Sequence, residues 1–417
     1  MTNGRRVVIT GLGVIASNGI GIDNFWDSLA HGRSGIGRIT HFDASSYPSQ
    51  IAGEVKDFDP LDYMDLKSAR RMDRFAQFSV AGTRMALDDS GIEISEKNSE
   101  RIGISLGSAL GGIPCAEAQH SVFLEKGLNR VDPLIAIKIF SGAATSYVSV
   151  EFGIMGHSNT IGGACAAGTD SVGYAFYAIK NNLADIMIAG GSEAPIVPLT
   201  FGAFCLIKAL STRNGDPTRA SRPFDKERDG FVMSEGAGVL ILENLESALE
   251  RGASIYAEVL GYGTTNDAYH MVQPQPTGEQ AKKAIELALQ SANVKPTEVD
   301  YINAHGTSTP INDKVETEVI KEVFEEYAYR IPISSTKSMI GHSLGAAGSI
   351  EIIASVLSLK NQFIHPTINY EYPDPECDLD YVPKEGRKGL INTVLKNSYG
   401  FGGKNSAIII RKFDNSE

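Results

Sequence analysis

The feature that most constrains this chain is a regular alternation of short apolar runs with longer amphipathic ones, kept up from end to end. "RRVVITGLG" reads as a strand and turn, and "SARRMDRFAQFSVAGTRMALDDSG" (68–91) as a helix stopped by Gly91. "RIGISLGSALGG" (101–112) reads as a strand entering a Gly-rich loop, "TDSVGYAFYAIKNNLA" (169–184) as a helix, and "DIMIAGGSEA" (185–194) as a buried strand. The second half repeats the style. "AKKAIELALQSANV" is helical, "VDYINAHGTST" is strand and loop, "VETEVIKEVFEEYA" and "LGAAGSIEIIASVLSLKNQ" are helical, and "KNSYGFGGKNSAIIIRKF" is a turn and final strand. Such alternation predicts a layered α/β fold. No Pro-rich or Ser-rich linker interrupts it, so two halves sharing one core are expected, residues 1–255 and 256–417.

Composition removes several classes. The net charge of −12 argues against general nucleic-acid binding. No apolar run is long enough to cross a bilayer. The opening "MTNGRRVVITGLG" lacks the long apolar stretch of a secretory signal, so a cytoplasmic location is the default expectation. The four cysteines, Cys115, Cys165, Cys205 and Cys377, are far apart in sequence, which disfavours a disulfide framework or a structural zinc site. "GLGVIA" after "RRVVIT" imitates a dinucleotide fingerprint. The loop-like "SNGIGIDNFW" follows it where a helix is needed, so a plain strand-turn is expected there.

The chemistry gathers around "NTIGGACAAGTDSVG" (159–173). Cys165 falls between a strand-like run ending in Gly162–Gly163 and a helix beginning near Ala166, the setting of a nucleophile elbow. Glycines permit an unusual backbone and a close substrate approach. A helix N-terminus favours thiolate and offers N–H groups to an oxyanion. An inert buried cysteine is the competing reading, and this segment alone does not choose. "YINAHGTSTPINDK" ends a strand at His305 and adds Thr307, Thr309 and Asp313. "ISSTKSMIGHSLGAAGSIE" places Lys337 and His342 before a small-residue helix carrying Glu351, and "NSYGFGGKN" is a Gly-rich turn around Phe401. One thiol with two histidines fits hydrolysis, acyl transfer or condensation, and spacing does not select among them. The histidines lie 37 residues apart, so no metal is expected.

The segments "GGACAAGTDS", "NAHGTSTPINDK", "SSTKSMIGHSLGAAG" and "NSYGFGGKN", in this order, together resemble the signature of β-ketoacyl-[acyl-carrier-protein] synthases. "RPFDKERDGFVMSEGAG" and "DPECDLDYVP" belong to the same pattern, and the likeness spans nearly the whole chain. It implies a thiolase-like αβαβα fold of two similar halves. It implies Cys165 as the nucleophile taking an acyl chain from a carrier thioester. It implies His305 and His342 as the pair stabilising the enolate left by decarboxylation, with Lys337 supporting them. Asp313 and Glu351 match carboxylates behind these groups, and Thr307 and Thr309 match hydroxyls near the malonyl unit. Phe401 matches the aromatic gating the pocket, its N–H joining that of Cys165 as an oxyanion hole. No cofactor is implied, since the substrates ride on the phosphopantetheine arm of an acyl carrier protein. The space cleared by small residues around Cys165 is expected to hold the acyl chain, with Leu110, Phe204 and the 133–140 segment as candidate pocket lining.

Lys67, Arg70, Arg71 and Arg74 follow i, i+3, i+4, i+7, one face of a helix. The first three match a basic patch that docks the acidic carrier in the family, and Lys208 is a further candidate. "GHSLGA", "GISLGSA", "YPSQIAGE" and "GTDSVG" resemble aromatic-polyketide ketosynthases more than their fatty-acid relatives. The expectation is therefore a catalytic (alpha) subunit of a type II polyketide synthase, paired as a heterodimer with a chain-length-factor sister. The alternative is a homodimeric fatty-acid β-ketoacyl-[acyl-carrier-protein] synthase II, and a more distant one is a non-catalytic partner of the chain-length-factor type.

Overall fold

The computed structural model describes residues 4–414. The first half supplies strands β1 (Val7–Ala16), β2 (Ile102–Gly107), β3 (Ser158–Ile161), β4 (Ile186–Glu193) and β5 (Gly236–Asn244). The second supplies β6 (Ala257–Asn266), β7 (Tyr301–Asn303), β8 (Ile333–Ser334), β9 (Thr393–Gly400) and β10 (Lys404–Lys412). Their spatial order is β8-β7-β9-β10-β6-β1-β5-β4-β2-β3. Each half therefore uses the same internal order, third-second-fourth-fifth-first. In both, the second strand is parallel to its two neighbours and the remaining pairs are antiparallel. The halves meet where β1 pairs antiparallel with β6 over Val7–Ile9.

Seven helices position the site: α1 (Leu66–Arg71), α2 (Arg74–Ser90), α3 (Ala167–Lys180), α4 (Pro198–Leu206), α5 (Glu279–Ala292), α6 (Pro310–Phe324) and α7 (Ala347–Asn361). Strand residues alternate between cores with period two. Leu240 and Leu242 of β5, and Ile408 and Ile410 of β10, face a central core with Val172, Phe176, Ile350 and Leu357 of α3 and α7. Ile241 between the first pair faces an outer core with Phe75 and Phe78 of α2. Ile409 between the second pair faces the opposite outer core with Ile285 of α5 and Ile320 of α6. The layers run helix, sheet, helix, sheet, helix, which is the expected thiolase-like arrangement.

Two local expectations are corrected. "GLGVIA" forms no turn, because β1 continues through it to Ala16, with a bulge between Ile9 and Gly11. A Cβ at Gly11 would lie 2.2 Å from Ala86 O, and one at Gly13 2.0 Å from Gly82 O. The glycines let α2 settle on the strand, a tertiary demand that local turn chemistry imitates. The second half repeats the device: Cβ atoms at Gly261 and Gly263 would press on Ala288 O and Ala284 O of α5, at 2.5 Å and 2.2 Å. The single helix expected over 68–91 is broken at Met72 and Asp73, both extended, with ψ of 150° and 160°. Asp73 caps α2 by accepting from the Arg74 amide.

Candidate active site

Cys165 sits where β3 hands over to α3. A 3₁₀ turn, Ala164–Ala166, precedes the helix, and the positive φ of 49° falls on Ala164 rather than on the adjacent glycines. A non-glycine residue there stores strain of about 1 kcal/mol, held by the packing around it. The glycines serve mostly to bring backbone together. A Cβ at Gly168 would meet Ser349 N at 2.8 Å, one at Gly163 Asp170 Oδ2 at 2.7 Å, and one at Gly107 the Ala167 backbone at 2.5 Å. Of the three glycines in "GGACAAG", only Gly162 faces open space. Of these glycines, Gly162 alone keeps the cleared space expected for substrate, while Gly163 and Gly168 serve backbone packing.

The thiol is 8% exposed. Burial pushes it up to about 12, while Lys337 and the Phe401 N–H, which donates to the sulfur, pull it down by less. At neutral pH the resting group is the thiol, because burial outweighs the groups that favour thiolate. Gly400 lies against the same turn, a Cβ there being 3.1 Å from Cys165 N. The Phe401 N–H reaches the sulfur, and the Cys165 amide lies on the adjoining turn; a thioester oxygen developing charge between them would find both donors close by.

The histidines arrive from two loops. His305 follows β7, and its loop is pinned from α6. Glu316 accepts from the amides of His305 (2.7 Å) and Gly306 (2.8 Å). Asp313, one turn earlier, accepts from Ser308 N and Phe224 N and lies 3.8 Å from Arg228. His342 precedes α7 and is bridged to Met233, its amide donating to Val232 O at 2.7 Å. The rings stand edge to face, 5.4 Å between centroids. Burial holds both well below 6.5, and Lys337 adds a same-sign push, so both are neutral at pH 7. Lys337 Nζ lies 3.3 Å from His305 Nδ1, donates to His305 O at 2.7 Å and pairs with Glu351 at 2.5 Å. An ammonium only donates, so Nδ1 accepts and the ring proton sits on Nε2, available to an incoming oxygen.

An aromatic wall connects these groups. Phe401 stacks on Phe204 (6.2 Å), Phe204 meets Phe231 (6.0 Å), and Phe231 meets His342 (5.1 Å). Leu110 and Phe204 pack in the same cluster as Cys165. The 133–140 segment is outside that cluster and instead backs the loop at Gly112, whose Cβ would lie 2.5 Å from Ile139 Cα. Thr307 is buried, and its hydroxyl pairs with that of Thr309, which caps α6.

The basic helix face is shorter than the i, i+3, i+4, i+7 spacing implies, while the three residues matched to carrier docking stay together. Lys67, Arg70 and Arg71 line a shallow groove of about 560 Å³ with Asp65, Leu66 and Leu134, and make no ion pair among the described residues. Arg74 is not part of that face. Past the break it turns onto Glu235 in a two-bond ion pair of 2.8 and 2.9 Å. Asp65 caps α1 through Lys67 N and Ser68 N rather than pairing with the basic side chains. Lys208 is exposed just beyond α4.

Sequence reasoning missed three buried charged groups. Glu316 was within reach, since it lies at i+3 from Asp313 on one helix face. Lys396 of β9 and Glu193 of β4 gave no local signal. Lys396 is fully buried, 2.8 Å from Glu351 Oε2. Glu193 accepts from Ala109 N (2.7 Å), Leu110 N (3.2 Å), Gly345 N (3.1 Å) and Ser108 Oγ (3.0 Å).

The "Beta-ketoacyl synthase, N-terminal domain" family matches residues 4–248, and the "Beta-ketoacyl synthase, C-terminal domain" family matches 256–371. A 3-oxoacyl-[acyl-carrier-protein] synthase 2 of Synechocystis is 48% identical over 409 residues, covering 98% of each chain. Among solved structures, a type II polyketide ketosynthase, in complex with its acyl-carrier protein and bound to a hexaketide, superposes with a TM-score of 0.92. It is 38% identical, and the match covers 99% of this chain and 100% of that one. The ishigamide ketosynthase/chain length factor gives 0.91 at the same identity and coverage. These matches run through both halves of the sheet and every loop that carries the thiol, the imidazoles and the Gly-rich turn, so this chain is a member of the β-ketoacyl synthase family of acyltransferases.

Proposed function

We propose that this chain is a fatty-acid condensing enzyme of the 3-oxoacyl-[acyl-carrier-protein] synthase 2 type. It extends carrier-bound acyl chains by decarboxylative Claisen condensation. Cys165 takes the acyl group from its carrier thioester: the new S–C bond forms, the carrier thiol leaves, and the Cys165 proton departs with it. The N–H groups of Cys165 and Phe401 hold the oxyanion. A malonyl thioester then loses carbon dioxide, and the electron pair of the broken C–C bond passes to its α-carbon and thioester oxygen. His305 and His342 donate to that oxygen, and as neutral imidazoles they do not readily quench the carbanion by protonation. The enolate attacks the acyl carbonyl, a C–C bond forms, and Cys165 leaves as the thiolate, which takes up a proton from solvent to restore the resting thiol, so each round consumes one proton. No cofactor enters any step. The observation that carries this reading is a pair of neutral imidazoles, one held by a buried lysine, beside a thiol that receives a backbone N–H.

The pathway assignment rests on the relatives. The 48% identity to a 3-oxoacyl-[acyl-carrier-protein] synthase 2 exceeds the 38% to the polyketide ketosynthases. This favours the alternative kept from the sequence over the polyketide setting placed first there. The polyketide reading stays second, supported by those two solved structures and by "GHSLGA". We assign the acyl carrier protein as partner, docking at Lys67, Arg70 and Arg71. A second copy of this chain is proposed to cover the free edge of β3, where Asn159 Oδ1 and the neighbouring His157 Nε2 are buried without partners and Val150 and Met155 are exposed.

Native mass spectrometry of the protein from its own host tests the setting. A homodimer that elongates acyl-carrier substrates by one round is expected. A heterodimer with a sister lacking the cysteine would overturn the fatty-acid reading. Arg71→Glu is expected to weaken carrier binding roughly 10-fold with an unchanged melting temperature; unchanged affinity would reject that docking site.

A further inference from the structure

Lys396 is a second lysine in the buried heart of the site. Its ammonium lies 2.8 Å from Glu351 Oε2, while Lys337 holds Oε1 of the same carboxylate at 2.5 Å. All three side chains are at most 1% exposed. Lys396 also donates to Ser398 Oγ at 3.0 Å and to the Asn397 carbonyl. Ser398 Oγ in turn pairs with Thr169 Oγ1, in the first turn of the helix that Cys165 precedes. The Asn397 side-chain amide has neither its N nor its O partnered, although both are buried.

One buried carboxylate needs one cation to be balanced; a second, out of water, is costly unless it does something else. Lys337 spends one of its three donors on Glu351 Oε1 and turns the others to His305, while Glu351 Oε2 still needs a cation near it. With Lys396 on the other oxygen, Lys337 is free to reach His305 Nδ1 and the His305 carbonyl. We propose that Lys396 is a positioning residue for decarboxylation, sharing Glu351 so that Lys337 can orient His305 and so that positive charge faces the developing enolate. The inference rests on the condensation chemistry proposed above.

The ionisable groups around Lys396 are Glu351, Lys337 and Glu316, with His305 and His342 beyond them and Tyr301 and His365 facing Glu351. Burial lowers Lys396 to about 8, against the opposing pull of Glu351. The ammonium is therefore complete below about pH 6 and discharged as the pH rises through 8, and decarboxylation falls with it.

The test follows carbon dioxide release from malonyl-carrier protein without an acyl primer, across pH 6 to 9.5, in wild type, Lys396→Met and Lys396→Ser. Lys396→Met is expected to lower kcat roughly 10- to 100-fold with KM within about two-fold, and to lose the alkaline limb near pH 8. Lys396→Ser leaves a space the size of a small cation, so ammonium chloride restores its rate and choline chloride at equal ionic strength does not. The pH limb and the rescue separate positioning from a merely structural role, and rescue is read even if Lys396→Met fails to fold. A folded Lys396→Met that keeps the wild-type kcat and alkaline limb, or a folded, slow Lys396→Ser that ammonium leaves unmoved, overturns the proposal. Wild-type protein that releases no carbon dioxide would instead overturn the condensation chemistry itself.

Discussion

Cys165 and Gly345 occupy the same place in the two halves. Each follows the third strand of its half, lies in a 3₁₀ turn opened by a residue of positive φ (Ala164, 49°; Leu344, 45°), and precedes a long helix. The two helices lie against each other, a Cβ at Gly348 falling 2.6 Å from Thr169 N. Both turns aim backbone N–H groups outward and so favour an anion. They differ in what receives those groups. The Gly345 amide donates to the Glu193 carboxylate, together with Ala109, Leu110 and Ser108. No protein group accepts from the Cys165 amide among the described residues. The fold builds one anion-seeking turn twice, fills one with its own carboxylate and leaves the Cys165 amide of the other without a protein acceptor among the described residues. Turn geometry alone is thus not an active site; the unfilled donor set beside a thiol is what distinguishes it.

The largest expected effect breaks the open turn. Cys165→Ala should reduce condensation by at least roughly 10³-fold, read as product formed from acyl- and malonyl-carrier protein. Activity surviving that change would remove the proposed nucleophile.

The filled turn is tested through pH. Burial lifts Glu193 from 4.5 to about 7, against its hydrogen bonds from Ala109 N and Ser108. The folded chain holds this proton more tightly than the unfolded one. Its contribution is therefore complete below about pH 4.5 and is lost as the pH rises through 7, at most about 3 kcal/mol. Glu316, also lifted to about 7, contributes a slope of the same sign. Glu193→Gln should remove part of that fall, measured by urea unfolding at pH 5 and pH 8. An unchanged difference between the two pH values would show that the plug does not titrate there.

Smaller effects sharpen the comparison at the glycines. Gly168→Ala sets a methyl against Ser349 N at 2.8 Å and Gly345 O at 2.9 Å, so two backbones must part. A loss of about 1–3 kcal/mol is expected in thermal unfolding. Gly162→Ala meets nothing within 4 Å and should change stability by less than about 0.5 kcal/mol. Equal costs at the two positions would contradict the packing role given to Gly168.

The layered fold and the segments around Cys165, His305, His342, Lys337 and Phe401 were legible because short-range signals coincide there with the tertiary arrangement. Strand ends, Gly-rich turns and helix starts are local features, and the motif residues sit on them. What was not legible depends on partners distant in sequence. Gly11 and Gly13 look like a turn until α2 is placed on them. Arg74 continues the basic spacing until Met72 and Asp73 break the helix and Glu235, 161 residues away, claims the guanidinium. Lys396 falls in a segment that reads as a Gly-rich turn but lies in mid-β9, and Glu193 reads as an ordinary charge at the end of β4; neither run reveals that its charged side chain is fully buried. The basic groove similarly reaches Leu134 across the fold, which no helical spacing predicts.

The measurement that tests the account most directly is peptide mapping by mass spectrometry after brief incubation with an acyl-carrier thioester and no malonyl donor. Cys205 is an internal control, equally buried at 8% and packed in the same cluster as Cys165, but within α4 rather than at an open turn. The account predicts one acyl group per chain, carried on Cys165. An acyl group on Cys205, or an unmodified Cys165 in protein that still condenses substrates, would contradict it.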